Sequence, residues 1–158
     1  PIGTEGGFCA AEMLQENQAL VSVALDDSDV DTEAVVALAT AMRDNTCVTT
    51  LSIANPRLFS LNDETTVHFA GMLEANVMLV SLDLSKHGIR EHGLRQLVTG
   101  ILAPRETPSP LRSLSLRCNK LGEEGGPLLA QLIMRAQSLE MLNVSCCGLR
   151  DAGAEEIA

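Results

Sequence analysis

The feature that most constrains this chain is a spacing that returns five times. In residues 110–121, PLRSLSLRCNKL, the apolar side chains of Leu111, Leu114, Leu116 and Leu121 follow L-x-x-L-x-L-x-x-N-x-L, with Asn119 at the polar position. The same opening triplet recurs as Leu20/Val23/Leu25, Val48/Leu51/Ile53, Leu79/Leu82/Leu84 and Leu139/Leu142/Val144. From first position to first position the intervals are 28, 31, 32 and 28 residues. A near-constant period of this length means a supersecondary unit that buries its apolar face only by stacking on copies of itself.

Each strand-like triplet is followed by a loop and a helical pattern. Val35/Val36/Leu38/Ala39/Met42, Val67/Phe69/Ala70/Met72/Leu73, Leu94/Leu97/Val98/Ile101/Leu102 and Leu128/Leu129/Leu132/Ile133 each paint one face at a period of 3.6. Gly93, Gly125 and Gly153 fall at the loop-to-helix junctions, and Pro127 lies near a helix start, where its missing N–H costs little. Asn45 and Asn76 close two of the helices, and the expectation is that they do so in the left-handed conformation that asparagine tolerates.

Residues 2–20, IGTEGGFCAAEMLQENQAL, align without a gap to residues 121–139, LGEEGGPLLAQLIMRAQSL. One domain over 1–158 is expected: a partial repeat at 2–19, full repeats at 20–47, 48–78, 79–110 and 111–138, and a partial repeat at 139–158. The cut repeats predict a piece of a longer solenoid. Its uncapped ends should expose Leu14, Leu20, Leu142 and Ile157, and fray or self-associate. The two longer repeats carry insertions, residues 55–64 (NPRLFSLNDE) before a helix and residues 103–110 (APRETPSP) after one. Both are candidate recognition loops, against the simpler reading of tolerated surface insertions.

Composition fits stacked aliphatic layers: 46% of residues are hydrophobic, yet there is no Trp, no Tyr and only three Phe. The net charge of −10 argues against nucleic acid as the main partner. It is unevenly spread, with nine acids to one base in residues 1–47 and seven bases to two acids in residues 86–120, so an acidic protein surface remains a suitable partner. No apolar run reaches membrane-spanning length and no signal-peptide pattern is present. Five cysteines without C-x-x-C spacing suit a reducing compartment. The reading is a cytoplasmic chain without membrane contact, with the cytoskeleton as its alternative setting.

The repeat N-x-x-L-x-x-L-x-L-x-x-N-x-L followed by a glycine and a helix, best seen in Asn76–Leu84 (NVMLVSLDL) and Leu111–Gly125, resembles the ribonuclease-inhibitor type of leucine-rich repeat. That type is also found in NOD-like receptors and the Ran GTPase-activating protein. Ser28, Pro56, His87 and Cys147 depart from the preferred asparagine, cysteine being an accepted alternative. Locally, NTCVTTLSI, the NDE loop and FAGMLEAN within residues 45–89 are similar to the actin-associated repeat domain of tropomodulin. The resemblance implies an α/β, right-handed solenoid or horseshoe, with parallel strands on the concave face and helices on the convex face.

That fold would turn the side chains between the ladder residues onto the concave face. The candidate partner-binding residues on this face and its basic rim are Asp26, Asp27, Asn55, Asp83, Lys86, Arg90, Ser115, Arg117, Lys120 and Asn143. Lys86, Arg90, Arg117 and Lys120 are expected to gather into one basic patch able to dock acidic protein segments. Cys118 and Cys146 occupy equivalent positions on neighbouring repeats, within disulfide reach. No nucleophile, base and orienting carboxylate fall together, and Gly122–Gly126 lacks the Lys-Ser/Thr of a phosphate loop. A non-catalytic protein-interaction scaffold without cofactor or metal is expected. The alternatives are an actin-associated module, a GTPase regulator by analogy of fold, and a structural spacer.

Overall fold

The computed structural model describes residues 1–59 and 63–157. Residues 60–62 of the first insertion and the last residue lie outside the described residues. Five strands, β1 (Ser22–Ala24), β2 (Thr50–Ser52), β3 (Ser81–Asp83), β4 (Ser113–Ser115) and β5 (Met141–Asn143), form one parallel sheet in chain order. They alternate with α1 (Gly3–Glu16), α2 (Thr32–Asp44), α3 (Glu64–Ala75), α4 (Glu91–Ile101), α5 (Gly125–Arg135) and α6 (Arg150–Glu155). The aligned stretches 2–20 and 121–139 end their helices at equivalent residues, Glu16 and Arg135.

The register follows the sequence period. Val23, Leu51, Leu82, Leu114 and Leu142 pair successively across the sheet. Their side chains turn toward the helices, and in β2, β3 and β4 they are sealed from solvent while both flanking residues are half-buried on the opposite face. The three-residue strands understate the ladder. Leu25, Ile53, Leu84 and Leu116 each donate their N–H to the next strand, as do Asp27, Asn55, Lys86 and Cys118 two residues later. At the entry side one carbonyl serves two donors: Val21 O accepts from Thr49 and Thr50, and Thr49 O from Val80 and Ser81.

Between sheet and helices lies the aliphatic core, in layers such as Leu79, Leu82, Leu84, Leu94 and Leu97, with Phe69 fully buried in the repeat before. Strands repeat at about 4.8 Å and packed helices at roughly 8–10 Å, so the sheet side is the inside of the bend. Helices α3 and α4 pack closely. A Cβ on Gly100 would collide with the carbonyl oxygen of Ala70, so only glycine lets the two backbones approach this far. Among the described residues no helix is long and apolar enough to cross a membrane.

Two expectations need correction. The helices do stop at Asn45 and Asn76, but these residues are extended, at φ −71°, ψ 129° and φ −70°, ψ 131°, instead of left-handed. Their side chains do the work. Asn76 Oδ1 accepts from the N–H groups of Met78 and Leu79, while Nδ2 donates to Met42 O and Asn45 O of the preceding repeat. Asn45 accepts from Cys47 and Val48 and donates to Leu14 O in the same way. Leu14 is the second correction: it is 1% exposed, because α1 packs along α2, whereas Leu20, Leu142 and Ile157 are half-buried.

Candidate functional site

The left-handed backbone appears at the far end of the strands. Asp27, Asn55, Lys86, Cys118 and Cys146, one per repeat, have φ between 51° and 60°. Each turns the chain out of the sheet, and a non-glycine residue there costs on the order of 1 kcal/mol that the lateral hydrogen bonds offset. This kink lines up one row of side chains along the rim of the concave face.

Most acidic and amide groups of the face are spent on the sheet itself. Asp26 Oδ1 accepts from Ser52 Oγ at 2.6 Å and from Ala54 N at 2.7 Å, tying β1 to β2. Asn55 Nδ2 donates to Asp27 Oδ1 at 2.5 Å. Asp83 Oδ1 accepts from Ser85 N and Ser85 Oγ, and Ser85 Oγ lies 2.9 Å from Ser115 Oγ on the next strand. Asn143 repeats the local motif with Ser145. The chemistry of these residues is largely committed to one another.

The cations are differently placed. Lys86 and Arg117 are both exposed in the turns that follow β3 and β4, joined through Lys86 N donating to Arg117 O. Neither makes an ion pair among the described residues. Arg90, the residue before α4, and Lys120 instead line an open cleft of about 530 Å³ between the strand-to-helix loops, together with Glu91, Glu123, Glu124 and Arg150. Arg90 and Lys120 thus have carboxylates for neighbours, and Lys86 and Arg117 are absent from that cleft's lining.

The row just inside the rim holds the repeats together. Asn119 Oδ1 accepts from Ile89 N, and its Nδ2 donates to Leu84 O and Leu116 O. Two of the four substituted members keep one bond to the preceding repeat: His87 Nε2 donates to Ile53 O at 2.7 Å, and Cys147 Sγ donates to Leu116 O at 3.0 Å. Burial drives the His87 pKa down to about 4, against smaller raising effects of Ile53 O and Asp83, so the ring is neutral with its proton on Nε2. Burial likewise pushes the Cys147 thiol up, which makes it a packing residue. All five cysteines are free thiols, including Cys118 and Cys146. Among the described residues no cluster of three or more His, Cys, Asp or Glu side chains is arranged to hold a metal ion.

Two residues that sequence reasoning passed over shape the loops. Asp63 Oδ1 and Oδ2 accept from Arg90 N and Gly93 N, capping α4 from the repeat before it. A Cβ on Gly93 would lie 2.8 Å from that carboxylate. Arg105, in the second insertion, points inward and donates to Leu73 O, Asn76 O and Gly100 O. Leu73 O and Asn76 O are the carbonyls an asparagine three residues before the repeat would serve, and Pro108 stands at that position. The proline was the available signal. Burial lowers the Arg105 pKa while Glu74 opposes the shift. On the convex side a cavity of about 530 Å³ opens between α4 and α5, walled by Val98, Leu102, Pro104, Leu128 and Arg135.

A family model described as leucine-rich repeat matches residues 107–130 and 135–158. Leucine-rich repeat-containing protein 34 of the mouse, Mus musculus, is 34% identical over 106 residues, covering 67% of this chain and 25% of that protein. The ribonuclease inhibitor of the pig, Sus scrofa, is 25% identical over an alignment covering 94% of this chain and 38% of that protein. The chain spans well under half the length of either relative. Among solved structures, one titled leiomodin-1 actin-binding site 2 matches with a TM-score of 0.75 at 22% identity, over 93% of this chain and 84% of that one. The tropomodulin C-terminal domain of Caenorhabditis elegans matches with a TM-score of 0.75 at 17% identity, over 96% and 90%. At these identities the structural likeness carries the fold.

Proposed function

We propose that this chain, which belongs to the leucine-rich repeat proteins, is a non-catalytic module that binds an acidic segment of a protein partner on the concave sheet face. The observation that carries the reading is the contrast on that face between committed and uncommitted groups. Asp26, Asp27, Asp83 and Asn143 spend hydrogen bonds on the sheet and its edge, whereas Lys86 and Arg117 stand exposed in the turns that follow neighbouring strands, without an ion pair among the described residues. A carboxylate reaching the sheet would meet both, with Ser115 beside them as a hydroxyl partner. Small residues dominate the rest of the face, so the contact would be polar and salt-sensitive, without an aromatic anchor.

The test is affinity capture from native lysate with Lys86→Glu/Arg117→Glu beside the wild type. Both side chains are exposed and hold no other side chain, so folding should be unaffected. Loss of a captured protein in the double variant supports the sheet face. Retention moves recognition to the helical flank or the insertions. Filamentous actin is the defined partner to include, since one matched structure is titled as an actin-binding site. Absence of co-sedimentation with filaments would remove the cytoskeletal alternative.

A further inference from the structure

Only two of the chain's hydroxyl residues precede a proline, Thr107 and Ser109, and both lie in the insertion between α4 and β4. We propose that Thr107 is a phosphorylation site for a proline-directed Ser/Thr protein kinase, and that its phosphate is received by Arg135 across the cavity the two residues share. The proposal does not depend on the concave-face reading.

Geometry separates the two hydroxyls. Ser109 has the fuller sequence context, with Pro110 after it and Arg112 three residues on. Its Oγ, however, accepts from Leu111 N at 3.4 Å, Leu111 is 1% exposed in the core, and Arg112 N is bonded to Val80 O. A kinase groove reading residues 109–112 in extended form would have to pull apart the entry to β4. Thr107 has no such obstacle. It is exposed at a bend of an irregular segment, and residues 104–110 lie outside any helix or strand. Arg105 anchors the segment at one end through backbone carbonyls, so the hydroxyl projects from a fixed base.

What the phosphate would meet is also visible. A cavity of about 360 Å³ is lined by Arg105, Glu106 and Thr107 of the insertion and by Arg135, Gln137 and Ser138 at the exit of α5, so two guanidinium groups and one carboxylate border the hydroxyl. Arg135 is exposed and makes no ion pair among the described residues. A phosphate of about two negative charges there pairs with the guanidinium and takes hydrogen bonds from its neighbours. In the transfer, Thr107 Oγ1 attacks the γ-phosphorus of kinase-bound ATP. The new O–P bond forms as the bond to the β,γ-bridging oxygen breaks, ADP leaves, and the hydroxyl proton passes to the kinase's catalytic base. The modification would strap the inserted loop of one repeat to the helix of the next.

The experiment incubates the folded chain with a purified proline-directed kinase and ATP, with a peptide of residues 101–113 alongside, and maps the product by mass spectrometry. The expected result is one phosphoryl group on Thr107, lost in Thr107→Ala and kept in Ser109→Ala. Modification of the peptide but not the folded chain, modification at Ser109, or none in either would overturn the assignment. For the acceptor, removal of the phosphate by a broad-specificity phosphatase should be about threefold faster in Arg135→Gln, equivalent to about 0.65 kcal/mol and within the range of exposed ion pairs. Equal rates would overturn the role of Arg135.

Discussion

The junction between β2 and β3 and the junction between β3 and β4 solve one problem with different chemistry. At the first, Asn76 sits at 4% exposure and bridges two repeats with two donated and two accepted hydrogen bonds. At the second, the insertion puts Pro108 at the equivalent position, and Arg105 reaches back from a half-buried site to the matching carbonyls. The arginine replaces the donating half of the asparagine only. It has no acceptor with which to hold the N–H groups that open the next strand, and Leu111 N turns to Ser109 Oγ at 3.4 Å instead. One short amide therefore fixes both sides of a junction, while a long cation fixes one side and leaves room for a loop.

The sharpest way to break the comparison is Asn76→Ala. It strands the N–H groups of Met78 and Leu79 and the carbonyls of Met42 and Asn45 inside a packed junction. With each orphaned buried group costing about 1–3 kcal/mol and some relaxation, the expected loss is about 4 kcal/mol in denaturant unfolding. A loss under about 1 kcal/mol would mean that the bridge does not hold the repeats together.

The other asparagine row offers a titratable version of the same experiment. His87 replaces Asn119's counterpart, and its folded pKa of about 4 lies below the ordinary 6.5 because burial disfavours the charged ring. The unfolded chain therefore takes up the proton first. His87's contribution is complete above pH 6.5 and is lost as pH falls from there toward 4. At about 1.4 kcal/mol per pH unit, some 2 kcal/mol should go between pH 6.5 and roughly pH 5, before most carboxylates titrate. His87→Asn should flatten that segment of the stability curve while keeping the bond to Ile53 O. An unchanged slope would show that the ring is not held neutral.

The repeat rows were legible for a physical reason. Stacking forces Leu51, Leu82 and Leu114 into identical surroundings, so the sequence must repeat there, and the register could be read off residue by residue. The rows of candidate binding residues could be read the same way. Their commitments could not, because whether Asp83 faces a partner or Ser85 depends on a backbone bend two residues on, which the period does not encode. The inward turn of Arg105 was hidden for the opposite reason. It compensates for a break in the period, and its position in the chain is offset by three residues from the asparagine it replaces.

The smallest expected effects separate two of the arginines that join neighbouring repeats, Arg105 and Arg112. Arg105 donates to three backbone carbonyls in a half-buried site that water reaches in part, so Arg105→Ala should cost about 1 kcal/mol, well short of the loss at Asn76. Arg112 pairs with Glu140 across the last full junction, but both side chains are more than half exposed, at 58% and 63%. Two flexible groups in water gain little from meeting, and salt screens what they gain, so Arg112→Ala should cost less than about 0.5 kcal/mol. The pair of variants, measured by urea unfolding in one buffer, asks whether an arginine matters here by its charge or by its carbonyl contacts. If Arg112→Ala proves the more damaging, charge pairing across repeats outweighs backbone bridging, and Arg105 is then a passenger of the insertion instead of its anchor.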